Sequence, residues 1–196
     1  MGSMRRWSFV AALAWLLPGL ALATKKPAER YFVRVDGAEA AKAVPAGLSE
    51  QARVMLGEIV AKRAEFVAAL PAGAPDMARN PEGFRRFLQK RKLRAFKVII
   101  KLNEYERELT PAREGKSGQV LRIRVGLSLW GTGMPDDVMA LSGDGQGMVG
   151  LEVGKKVRPR DEEVATTDSL RSALEAAVED AVKKLAATPP AKPARK

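Results

Sequence analysis

The chain has 196 residues, 34 Lys and Arg against 23 Asp and Glu, and neither His nor Cys. Without those two residue types it can form no disulfide, no thiolate or imidazole metal site, and no Ser-His-Asp or Cys-His nucleophile system. A formal charge of +11 favours polyanions as partners: nucleic acid, anionic lipid or acidic polymer.

The N-terminus reads as a secretory signal. Arg5 and Arg6 precede the apolar run Trp7 to Leu17, Pro18-Gly19 breaks it, and Ala21-Leu22-Ala23 is a small-x-small cleavage site. The run is short for a membrane span. Met4 would serve as a start as well as Met1. Cleavage after Ala23 leaves 173 residues, with 32 basic against 23 acidic, a net +9, and no membrane-spanning helix is expected in them. Export argues against an intracellular nucleic acid as partner and points to a periplasmic or extracellular site of action. An envelope protein or an anionic envelope polymer is the expected partner.

Residues 24–30 form a polar leader, expected to be flexible. Tyr31 to Val35 alternates as a strand, closed by Asp36-Gly37. Ser49 is the expected cap of a helix running to about Leu70, with Met55, Leu56, Ile59, Val60, Phe66, Val67 and Leu70 on its apolar side. Arg63 falls within that side, where its stem packs and its head reaches out or meets a carboxylate. Asn80-Pro81 opens a shorter helix carrying Phe84, Phe87, Leu88 and Arg91 on one face. Next comes a strand with Phe96, Val98, Ile100 and Leu102 on one face and Lys97, Lys101 and Asn103 on the other. Its phase flips at Tyr105, which marks a bulge or the strand's end. Leu121 to Leu129 at odd positions, with Arg122, Arg124 and Ser128 between, give the clearest strand.

The segment "LSGDGQGMVG" resembles a phosphate loop only superficially. It lacks GxGxxG spacing, and no GxxxxGK[ST] loop occurs anywhere. From Met139 to Val153 the odd positions read Met, Leu, Gly, Gly, Gly, Val, Leu, Val, so the glycines continue one apolar strand face. Such a strip invites close approach by another backbone. A helix capped by Asp168 and running from Ser169 to about Ala187 carries the small ridge Ala173, Ala177, Ala181 that would fill it. Residues 188–196 form a Pro- and Lys-containing tail, expected to be disordered. Residues 31–187 therefore read as a single α+β domain: two layers, a mostly antiparallel sheet, and two long helices on one face.

No catalytic, cofactor or metal residue emerges. Glu104, Glu106 and Glu108 alternate on one strand face, where solvation and protection of a sheet edge are the expected roles. Asp136, Asp137 and Asp144, with Asp161-Glu162-Glu163, complete the acids on which a carboxylate-only hydrolase of a cell-wall polymer would have to rely. The span Arg85 to Lys101 holds eight cations and no acid. Within and beside it, Arg86, Lys90, Lys97, Lys101, Arg122 and Arg124 are the expected polyanion or anionic-membrane contacts, on the side the long helices leave open.

The order strand, helix, short helix, three meandering strands, closing helix resembles the small α/β domain of bacterial envelope assembly proteins, as in penicillin-binding-protein activator lipoproteins and curli-channel-type secretion proteins. It is similar also to uncharacterised exported proteins. The resemblance rests on Leu93, Phe96, Val98 and Ile100, on "LSGDGQGMVGLEV" and on "SLRSALEAAVEDAVKKL", and covers residues 93 to 187. It implies a non-enzymatic binding or assembly module and carries over no catalytic residue. The chain departs from the lipoproteins in having no Cys to lipidate.

Overall fold

The computed structural model describes residues 30–112 and 118–187. The expected signal segment, most of the leader and the tail lie outside them. In chain order the elements are β1 (Arg30–Ala40), α1 (Leu48–Lys62), β2 (Phe66–Val67), α2 (Pro81–Arg91), β3 (Leu93–Pro111), β4 (Gln119–Gly133), β5 (Val138–Val153) and α3 (Pro159–Ala187).

The five strands form one sheet in the order β2-β1-β3-β4-β5. β3, β4 and β5 make an antiparallel meander, whereas β1 lies parallel to both β2 and β3. The meander's long alternating runs carry enough side chains to fill a core on one face. Phe96, Val98, Ile100, Leu102, Leu121, Ile123, Val125, Leu127 and Leu129 are all buried there. The phase flip after Asn103 is a bulge: the β3–β4 register shifts between Leu102 and Glu104, and Tyr105 thereby joins the core side.

α1 and α3 cover this face together, so the α+β class and the pair of long helices on one face stand. α1 is shorter than its apolar pattern predicts. Arg63 is extended (φ −97, ψ 132), its N–H closes the helix on the Val60 carbonyl, and its guanidinium meets Glu65 at 2.9 Å. Phe66 and Val67 then form β2 beside Tyr31 and Phe32. The apolar period continued past Lys62, but extended backbone lets Phe66 bury against Tyr31, with ring centroids 5.9 Å apart, where another helical turn would lift it off the sheet.

α2 behaves as its caps dictate. The Asn80 side chain accepts the Gly83 N–H at 2.8 Å, Pro81 starts the helix, and Lys92 ends it in a left-handed conformation at φ 50. Phe84 and Leu88 pack on Leu93, Ala95 and Met134, with Phe32 and Val67 beside them. This is the opposite sheet face from the long helices. The side expected to be free of helices is therefore covered at one end by α2.

α3 begins ten residues before its expected start. Pro159 opens it, and Asp161 and Glu162 in the first turn suit the positive helix terminus. From Ser169 onward it lies in the glycine strip. A methyl group placed on Gly143 would stand 2.2 Å from the Ala177 carbonyl oxygen. On Gly145 it would stand 2.0 Å from that of Ala173, and on Gly147 2.0 Å from that of Ser169. No side chain fits between the two backbones. Buried Ser169 fastens the contact by directing its hydroxyl at the carbonyls of Gly147 (2.8 Å) and Ile123 (3.1 Å). Among the described residues no helix is long and apolar enough to cross a membrane.

Candidate functional site

Side chains on the open face of the meander fall into cross-strand rows set by the register. Even positions of β4 and, from Ser142 on, of β5 point to this face, as do odd positions of β3 before the bulge and even positions after it. Glu108 pairs with Arg122, Glu106 with Arg124, and Glu104 with Gly126, which faces Gln146. Beyond the bulge Lys101, Ser128 and Asp144 form a row, then Ile99, Trp130 and Ser142.

Ion pairs run through these rows. Arg122 lies 3.5 Å from Glu108, and Arg124 lies 3.0 Å from Glu106 and 3.8 Å from Glu104. Lys97 meets Asp137 at 2.6 Å. Lys101 meets Glu39 of β1 at 3.7 Å and places its ammonium 4.4 Å from the Trp130 ring centroid. Opposite charges directly across a ladder support pairing by about 0.2–1 kcal/mol each. The six cations singled out in sequence thus occupy two settings. Lys97, Lys101, Arg122 and Arg124 stand on the sheet, each against a carboxylate. Arg86 and Lys90 stand exposed on the outer side of α2, with no carboxylate partner among the described residues.

The acids have partners too. Asp136 and Glu82 bind Arg85 and raise its pKa, Asp136 contributing most. Glu162 binds Arg107 at 3.1 Å, and Asp161 accepts the Arg158 N–H. Around Gly126, which has no side chain, Asn103, Glu104, Ser128, Asp144 and Gln146 rim a shallow concavity of about 370 Å³. Hydrogen bonds knit the rim: Asn103 donates to Ser128 (2.9 Å), Ser128 to Asp144 (2.8 Å), and Gln146 to Glu104 (3.2 Å). Lys184 reaches around the β5 edge to Asp144 at 3.3 Å and to Asp180 at 2.7 Å. Asp180 also accepts the Asp144 backbone N–H at 3.0 Å. Lys184 first, and that N–H second, hold the Asp180 carboxyl below the usual aspartate range. Among the described residues no cluster of three or more acids is arranged to hold a metal ion.

Trp130 is the feature that residue-type searching missed. It is 46% exposed near the C-terminal end of β4. Its even position, shared with Arg122, Arg124 and Ser128, was the available signal that it stands on the open face. Ile99, Val138, Met139 and Met148 are the other exposed apolar side chains on the meander strands besides Leu109.

No family model matches the chain, and no curated protein matches it by sequence. Several solved bacterial structures resemble it. A DUF330 protein from Xanthomonas campestris is 10% identical at a TM-score of 0.45, over 82% of this chain and 89% of that one. A minor lipoprotein from Acinetobacter baumannii is 7% identical at 0.37, over 81% and 92%. A presumed lipoprotein from Caulobacter crescentus CB15 is 14% identical at 0.38, over 76% and 88%.

Proposed function

We propose that the protein is an exported, non-enzymatic interaction module of the bacterial cell envelope, and that it presents the open face of its meander to an envelope protein. The observation that carries the reading is Trp130, 46% exposed on an interior strand of a sheet whose other face is covered by α1 and α3. Large aromatic side chains ringed by polar groups are the usual energetic centres of protein interfaces. Ile99 and Ser142 flank the indole across the strands, and the adjacent row of Lys101, Ser128 and Asp144 places polar groups beside it. Export follows from the signal-like residues 1–23. The packing motifs of β3, the glycine strip and α3, which resemble those of envelope assembly domains, agree with an assembly role.

The test is site-specific photocrosslinking in intact envelopes. A crosslinker at Trp130 or Ser142 captures one defined partner, whereas a crosslinker at Glu175 on the outer side of α3 does not. Equal capture from both positions, or none from Trp130, rejects the open face as the interface.

A carboxylate-only hydrolase of a cell-wall polymer is the second reading, because Glu104 and Asp144 rim one concavity. The Asp144 side chain is 71% exposed and the concavity is shallow and open to water, which gives a polymer chain little to be held in. Turnover of purified cell-wall polymer that is abolished by Glu104→Gln would establish this reading over the first.

A further inference from the structure

The basic stretch divides by partner. Of its eight cations, Arg85 is bound by Glu82 and Asp136, Lys97 by Asp137 and Lys101 by Glu39, while Arg94 lies 5.5 Å from the Phe96 ring centroid. Arg86, Lys90, Arg91 and Lys92 remain. All four are exposed, and none meets a described carboxylate. They occupy the last turns of α2 and its cap. Arg86 and Lys90 share one side at i and i+4. Arg91 spreads over the Phe87 ring at 5.7 Å. Four long cations diverging from one helix end suit a laterally mobile array of phosphates better than one fixed anion.

Their place in the fold selects among polyanions. The backbone N–H of Arg30, the first described residue, bonds the Lys92 carbonyl at 3.4 Å, so the chain enters the domain beside this cluster. Arg30 is exposed and adds a fifth cation without a described carboxylate partner. Only residues 18–29 separate it from the apolar run Trp7 to Leu17, and Lys25 and Lys26 lie among them. Twelve residues reach at most about 40 Å. While that run is held in a bilayer, the α2 end of the domain stays within reach of the lipid surface.

We propose that the outer side of α2, through Arg86, Lys90, Arg91 and Lys92, docks the domain on an anionic lipid surface. The contact is electrostatic, and it persists after the apolar run is removed.

Vesicle co-sedimentation tests this with protein purified as exporting cells process it, using phosphatidylcholine vesicles with and without phosphatidylglycerol. Binding is expected only with phosphatidylglycerol and should fall steeply with salt. Each cation near an anionic surface strengthens binding roughly fivefold, so Arg86→Gln/Lys90→Gln/Lys92→Gln should weaken it on the order of 100-fold. Lys97→Gln/Lys101→Gln removes cations already paired and should change it less than about twofold. The chain has no native cysteine. A fluorophore on Gln89→Cys should therefore report bilayer contact alone, and one on Glu175→Cys should not. Three results overturn the proposal: no binding to phosphatidylglycerol at low salt, equal losses in both multiple variants, or binding of an acidic polysaccharide or nucleic acid without binding of vesicles. Unchanged thermal melts of these surface variants keep each result interpretable.

Discussion

Replacing Gly145 by alanine adds one methyl group, and the contact between α3 and β5 has no room for it. The new carbon would sit 2.0 Å from the Ala173 carbonyl oxygen, 2.6 Å from the Ala177 nitrogen and 2.9 Å from the Ala177 Cβ. Carbon contacts are comfortable at about 3.5–4.0 Å, so α3 must withdraw by more than about 1 Å. Two of the three obstacles are backbone atoms, which no rotamer change can move. Overpacking of a core usually costs about 1–3 kcal/mol, and a backbone obstacle places this case at or above the top of that range. The intrinsic gain from replacing a strand glycine, about 0.5–1 kcal/mol, offsets only part of it. A net loss of about 2 kcal/mol or more should lower the melting midpoint by roughly 4–8 °C for a domain of this size. Gly150→Ala is the internal control. Its methyl would meet Val120 at 3.7 Å and Arg122 at 4.0 Å, ordinary contacts on the open face, so that variant should be neutral or slightly more stable. Urea unfolding of the two variants beside the parent decides the matter. An unchanged midpoint for Gly145→Ala, or equal losses at both sites, would refute the packing account.

Ser169→Ala should cost about 1–2 kcal/mol in urea unfolding, because a buried hydroxyl that fastens α3 to two sheet carbonyls is lost while the volume is nearly kept. Asn80→Ala should cost about 1 kcal/mol through the lost cap of α2, and circular dichroism should report it as a small loss of helix. The Asp180 carboxyl is held below its unfolded value, so its stabilisation is complete above the ordinary aspartate range and drains away as pH falls. With 35% of its side chain exposed, it should contribute less than about 1 kcal/mol. Asp180→Asn should lower neutral-pH stability by that amount, converge with the parent in acid and so flatten the acid limb of the stability–pH curve; an acid limb identical to the parent's would contradict that.

Much of the fold could be read from side-chain period alone, because β3, β4 and β5 each bury one face over many residues. The glycine strip was legible for the same reason: three glycines in phase with an apolar face demand a partner of small residues, and only one helix offers the Ala173, Ala177, Ala181 ridge. The end of α1 was not legible. Phe66 and Val67 fit a helical stripe as well as a strand pair, and only the β1 edge decides between them. Nor could the sequence place α2 on the open face, since Phe84 and Leu88 need an apolar patch that exists only once Leu93, Ala95 and Met134 come together. The charge pairs were hidden for a related reason. Arg122 and Arg124 oppose Glu108 and Glu106 only in the register that the bulge after Leu102 sets, and a slip of one residue would turn every one of these side chains to the other face. Had the bulge been absent, the three glutamates would lie in the core.

The empty face of the glycine strip has a consequence for the timing of folding. Glycines 143, 145 and 147 bury no side chains of their own, so the half of the sheet built from β4 and β5 has almost nothing to hold it until α3 arrives with Leu170, Leu174, Val178 and Leu185. α3 follows every strand in the chain, and β1 cannot pair with β3 until more than fifty residues between them have been delivered. Both features are non-local, and both delay the appearance of a stable intermediate. A chain passing through a narrow channel from its N-terminus would thus remain pliable until its closing helix is available, and then fold in one cooperative step. Truncation after Arg158 should leave a polypeptide with no cooperative urea transition, and a sharp transition in that fragment would show that the strands can hold themselves together.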